Sequence, residues 1–170
     1  MLVEGSDFVV TYTRNGVETD DFTNEGTITV TITGIGNYFG TVTKEYVIRK
    51  AEIKDSDVTV SDDVIYNTNE QKPVIGITVG DLALVEDRDY TVKFYRDGVE
   101  TTDFTNAGTI TIIVEGINNY FGTVTKEYVI EKAEIVDNER FDDDVYVAGF
   151  ATYNGSAQLP EIMVTIRRLM

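Results

Sequence analysis

The sequence predicts an all-β protein, a tandem of small antiparallel β-sandwich units. Three observations predict it: a long internal duplication, segments that alternate apolar with polar residues, and glycine turns every eight to twelve residues or so.

The duplication sets the organisation. Shifting the chain by 82 residues lays GSDFVVTYTRNGVETDDFTNEGTITVTITGIGNYFGTVTKEYVIRKAEI on DRDYTVKFYRDGVETTDFTNAGTITIIVEGINNYFGTVTKEYVIEKAEI, about two-thirds identical, and NYFGTVTKEYVI recurs unchanged at Asn37 and Asn119. A weaker match pairs VIYNTNEQKPVIGITV with ATYNGSAQLPEIMVTI, so that Tyr66, Asn67 and Pro73 answer Tyr153, Asn154 and Pro160. Residues 1–53 are then the back half of one repeat, 54–135 a complete repeat, and 136–170 the front half of a further one. The chain is expected to be an excerpt of a larger secreted protein, cut out of phase with its repeats. Two expectations stand for its outer halves: they complete one another between chains, as a head-to-tail or swapped homo-oligomer, because half cores and open sheet edges seek partners, or the cut is arbitrary and the parent continues on both sides.

The strands follow from composition and period. DFVVTYT, GTITVTITG and TVTKEYVI, with their copies DYTVKFY, GTITIIVEG and TVTKEYVI, are rich in Val, Ile, Thr and Tyr and alternate as half-buried strands do. In GTITVTITG, Ile28, Val30 and Ile32 share one face and Thr27, Thr29, Thr31 and Thr33 the other, so a one-residue slip would expose the whole core face. Asn15-Gly16 and Asp97-Gly98 predict two-residue hairpin turns, which need positive φ. Gly26 and Gly108 open the next strand, Gly34 and Gly116 close it, and Gly40 and Gly122 end the Asn-Tyr-Phe hairpin. No segment has helical apolar spacing. Short strands that close within about 80 residues predict immunoglobulin-like packing. The alternative, a β-grasp-like unit, needs a helix from Glu18 to Asn24 or from Asp137 to Asp144.

Composition narrows the function. Thirty acidic against 14 basic residues, a formal net charge of -16, repel phosphate backbones and anionic headgroups, so nucleic acid and membrane surfaces are poor partners. The absence of cysteine and histidine removes disulfides, thiolate nucleophiles, the usual general base and the commonest zinc ligands. No apolar run reaches the roughly 20 residues that span a bilayer. The expected protein is not an enzyme, holds no cofactor and does not insert in membranes.

The Asp-Tyr-Thr-Val opening, the Thr-Asn-Ala-Gly-Thr turn, the Gly-x-x-Asn-Tyr-x-Gly hairpin and the closing Tyr-Val-Ile strand resemble the bacterial immunoglobulin-like repeats, including those called MBG-type, of large surface adhesins. The resemblance covers nearly the whole chain and is weakest from Asp137 to Tyr153. It implies an extracellular module on a bacterial cell surface, whose partners are neighbouring repeats of the parent chain.

Several residues are candidates for more. Tyr38-Phe39 and Tyr120-Phe121 stand at hairpin tips, where aromatic faces could stack on a host glycan or fill a pocket of a host protein, or fold back to plug the core. Lys44 and Lys126 fall on the apolar face of TVTKEYVI. In some surface domains of this resemblance a buried lysine forms an isopeptide bond, for which Asn24 and Asn106 are the candidate partners; the plain alternative is a lysine with a buried stem and a solvated ammonium. Asp55, Asp57 and Asp137 could meet near a repeat junction as calcium ligands, although charge runs usually face water and no EF-hand pattern occurs. Paired carboxylates in turns lack the cleft that a glycosidase needs. Asn154-Gly155-Ser156 reads as turn chemistry. The expected function is that of a structural stalk or spacer, with Ala51-Glu52-Ile53 and Ala133-Glu134-Ile135 as junctions that lack glycine and proline. The alternative is a glycan- or protein-binding adhesion module using the hairpin tips or the insertion at 142–153.

Overall fold

The computed structural model describes residues 1–135 and 144–165. Those residues are all-β, with several antiparallel sheets and no α-helix, one 3-10 turn at Asp55–Asp57 apart. Glu18 to Asn24, where a β-grasp unit would need a helix, contains none; residues 137–143 lie outside the described residues.

The first copy forms a four-stranded sheet of β1 (Phe8–Arg14), β2 (Val17–Glu18), β3 (Gly26–Gly34) and β4 (Thr41–Ile48), in the order β2-β1-β3-β4. Asn15 and Gly16 both take positive φ, the geometry that their hairpin demands, and Asp97 and Gly98 do the same in the second copy. Pairing of Tyr12 with Val30, Ile28 with Tyr46 and Ile32 with Val42 puts the apolar residues on a common face.

After β5 (Ala51–Glu52) come β6 (Val58–Val60), β7 (Val64–Ile65), β8 (Ile75–Val79) and β9 (Leu82–Ala83), of which β6, β8 and β9 form a three-stranded sheet. The second copy supplies β10 (Tyr90–Arg96), β11 (Val99–Glu100), β12 (Gly108–Gly116), β13 (Tyr120–Phe121) and β14 (Thr123–Glu131). Its sheet runs β11-β10-β12-β14-β7. Last come β15 (Val145–Val147) and β16 (Ile162–Val164), an antiparallel pair that reproduces β6 and β8 at the same positions of the front-half alignment. The N–H of Ala148 donates to the Glu161 carbonyl as that of Ser61 donates to Val74. The strand pairings of β13 with β5 and of β14 with β7 are parallel. Both join segments distant in sequence, as parallel pairing requires.

The chain divides into two compact units. One comprises Met1–Thr59, Ile75–Lys93 and Ile113–Thr125, and buries Ile28, Ile53, Val58, Ile77, Leu84, Tyr90, Val114 and Val124. The other comprises Val60–Val74, Phe94–Ile112 and the described residues from Lys126 onward, and buries Phe104, Ile110, Ile112, Tyr128 and Ile130.

Equivalent positions of the two copies differ sharply in exposure. Val42, Tyr46 and Phe22 are exposed, whereas Val124, Tyr128 and Phe104 are buried. Fully burying such a side chain is worth about 1.5–3 kcal/mol, so identical strands contribute unequally. Tyr128 also donates its hydroxyl to the Gln71 carbonyl at 2.8 Å. Tyr128 is 2 % exposed and Tyr46 56 %. Tyr128→Phe is therefore expected to cost about 1 kcal/mol in urea unfolding by leaving that carbonyl unpaired, and Tyr46→Phe to cost nothing measurable.

Candidate functional site

The most constructed local feature is a clasp present once in each copy. In the Asp21-Phe22-Thr23-Asn24 loop, Asp21 Oδ1 accepts the N–H groups of Thr23 and Asn24, and Oδ2 accepts the Asn24 side-chain amide. A short acidic side chain closing its own turn is familiar loop chemistry. Arg14 reaches over from the end of β1 and donates to the carbonyls of Asp21, Asn24 and Glu25. Arg96 does the same to Asp103, Asn106 and Ala107, where Asp103 closes the turn. An edge-to-face ring pair 5.0 Å apart braces each loop, Tyr12 with Phe22 and Phe94 with Phe104. Lys72 lies over both rings of the second pair.

Both carboxyls are held at about 2. The Asn24 side-chain amide lowers Asp21 most, followed by the N–H groups of Asn24 and Thr23, with Arg14 adding to them. For Asp103 the Asn106 N–H leads, then the Asn106 side chain and the Thr105 N–H, with Arg96 behind.

The clasp presents Asn24 and Glu25 to the hairpin tip of the second copy. Asn119 Oδ1 accepts the Glu25 N–H at 2.9 Å, and Asn119 Nδ2 donates to Asn24 Oδ1 at 2.9 Å. Beside this contact β5 pairs with β13: Ala51 donates to the Asn119 carbonyl and Ile53 to that of Phe121. Ile53 is 3 % exposed. A Cβ at Gly122 would stand 2.7 Å from the Ile53 carbonyl, so the tip must end in glycine for the strand to lie this close. Lys50 adds an exposed ion pair with Glu25 at 3.8 Å, a contact of small worth. The segment Ala51-Glu52-Ile53 is thus a strand fixed to the next copy's hairpin.

The structure places the other candidate residues as follows. Tyr120 is half-buried and Phe121 47 % exposed, their backbones engaged by β5. Tyr38 and Phe39 are exposed, Phe39 at 98 %. Lys44 is exposed opposite Val30, and Lys126 half-buried between the buried Val124 and Tyr128. Asn24 and Asn106 donate their side-chain amides to Asp21 and Asp103. Asp57 accepts the Lys54 N–H, Asp63 that of Val129, and Asp89 that of Val85 together with the Arg88 guanidinium, which holds its carboxyl below the usual range. Asp137 lies outside the described residues. Among the described residues no three His, Cys, Asp or Glu side chains are gathered to hold a metal ion. Asn154 Oδ1 accepts the Ser156 N–H within a turn.

Sequence reasoning missed Arg14, Arg96 and Asn119. All three occupy identical positions in the two copies, as Asn37 does for Asn119, and each is a polar residue repeated where solvent exposure alone would not require it. Comparison of the chain with family models, curated proteins and solved structures finds no match.

Two outcomes test this geometry. Because the folded pKa values of Asp21 and Asp103 lie at about 2, below the roughly 3.9 of an unfolded aspartate, their contribution is complete above about pH 4 and lost as pH falls towards 2. Urea midpoints should fall over that window in the wild type and less steeply in an Asp21→Asn, Asp103→Asn variant. Gly40 and Gly122 share positive φ, but only Gly122 faces a carbonyl. Both alanine variants should lose about 1–2 kcal/mol to backbone strain, and Gly122→Ala should lose more and free the Ile53 amide to hydrogen exchange.

Proposed function

We propose that this chain is a non-catalytic structural segment, a stalk or spacer of immunoglobulin-like repeats from a bacterial cell-surface or secreted adhesin-like protein. The observation that carries this reading is the joint at Ala51–Ile53, a hydrogen-bonded strand on the Asn119–Gly122 hairpin. A spacer must transmit position from one repeat to the next, and a paired strand does so where a free linker would not. The strongly perturbed carboxylates, Asp21 and Asp103, are used up in closing turns, which supports a structural role for them over an acid–base one. The large negative charge suits solubility in an extracellular setting.

A second reading is favoured by one observation, the full exposure of the Phe39 ring at the tip of the first copy. It makes the chain a glycan- or protein-binding adhesion module, with the insertion at 142–153 as the other candidate contact. Glycan and host-protein arrays separate the two. The spacer reading expects no specific capture, with the Ala51 and Ile53 amides exchanging as slowly as those of β3. Specific capture that is lost in a Tyr38→Ala, Phe39→Ala variant with an unchanged melting temperature would replace it by the adhesive one.

A further inference from the structure

The internal joint has two sides, and each side occurs a second time without its counterpart. The tip side consists of Asn119 to Gly122, and its copy is Asn37 to Gly40. The strand side consists of the Asn24-Glu25 loop with Ala51–Ile53, and its copy is Asn106-Ala107 with Ala133 to Ile135. The spare tip and the spare strand side are each built as their engaged equivalents are. Asn106 is held by the same aspartate and arginine clasp as Asn24, so its side-chain oxygen and the Ala107 N–H are set for the same two bonds. Each spare surface forms a shallow apolar groove, one lined by Phe8, Ile32, Tyr38, Phe39 and Val42, the other by Asn106, Ala107, Lys132, Ala133 and Ile135.

Exposure marks what is missing. Ile53 is 3 % exposed in the engaged joint, and its equivalent Ile135 is 57 % exposed. Phe121 is 47 % exposed and Phe39 98 %. The carbonyls of Asn119 and Phe121 accept strand N–H groups, whereas those of Asn37 and Phe39 accept none among the described residues. Tyr120 and Phe121 form a strand; Tyr38 and Phe39 do not. Since the two tips share the sequence Asn-Tyr-Phe-Gly, the difference lies in the partner and not in the residues.

We propose that the Asn37–Gly40 tip is a docking site for the Asn106-Ala107 loop and Ala133–Ile135 strand of a second copy of this chain. The joint so formed repeats the internal one: Ala133 and Ile135 donate to the carbonyls of Asn37 and Phe39, and Asn37 bonds Ala107 and Asn106. It omits only the Lys50–Glu25 ion pair, because alanine stands at 107. The apolar face of β3 and β4 continues the same surface, with Ile32, Val42 and Tyr46 exposed where Val114, Val124 and Tyr128 are buried. Association is head to tail, because each copy offers one tip and one strand side. The proposal rests on the reading of the chain as coupled spacer repeats and names the partner of that joint.

Sedimentation equilibrium of the full chain, from micromolar to millimolar, is the test. The weight-average mass should rise with concentration. Asn37→Ala and Ile135→Asp, both at exposed places, should each weaken association at least about tenfold. A mixture of the two variants retains one intact tip and one intact strand side, so it should form pairs with wild-type affinity and stop at two chains. A wild type that stays monomeric throughout, or variants that associate as the wild type does, or a mixture that fails to pair, would overturn the proposal. Should Asn37→Ala disturb its hairpin, Ile135→Asp against the wild type decides the matter alone. Failure here leaves the internal joint and the spacer reading standing, whereas ligand capture through Tyr38 and Phe39 would end the spacer reading whether or not copies associate.

Discussion

Two backbone hydrogen bonds, from Ala51 and Ile53 to Asn119 and Phe121, convert what would be a linker into a strand. A connecting segment of three residues normally runs solvated and adds conformational freedom between the elements that it joins. Here the amides of Ala51 and Ile53 are satisfied by the neighbouring hairpin, and the Ile53 side chain is buried. Everything distinctive about the tip follows from that approach. Gly122 has no room for a side chain, Asn119 turns its amide toward the first copy, and Tyr120 is half-buried.

The arginine clasp serves this joint at one remove. A guanidinium holds the carbonyls of Asp21, Asn24 and Glu25, and an aspartate closes the same loop from within, so that Asn24 has little freedom left to lose on meeting Asn119. Preorganisation of this kind lowers the entropic cost of making a contact more than it adds to the contact itself. Several acidic residues serve the backbone in the same way, in a chain that carries a large negative charge. Asp21, Asp103, Asp57, Asp63 and Asp89 each accept backbone N–H groups where a solvated carboxylate would accept only water.

The legible part of the fold was large because strands depend on local pattern. The six repeated strands lie where alternation of Val, Ile, Thr and Tyr puts them, and Asn15-Gly16 and Asp97-Gly98 turn as their positive φ requires. The strands between Val58 and Ala83 were harder to read, since they are two to five residues long and too short for a period to declare itself. Of the candidate site residues, the tip aromatics were recognised by position, but Asn119 beside them was not. Its role depends on a partner 94 residues away, the Glu25 N–H, which no local pattern announces.

By itself the sequence determined the strand class, the Asn-Gly and Asp-Gly hairpins, the duplication and the turn chemistry, because all of these arise from neighbours along the chain. Tertiary structure alone decided which of two identical segments is engaged. Tyr46 and Tyr128 stand in the same octapeptide, and so do the tips Asn37–Gly40 and Asn119–Gly122 in the same tetrapeptide, yet one member of each pair is covered and the other open. Burial is a property of what lies opposite a residue, and identical residues with different surroundings contribute differently to stability and to contact.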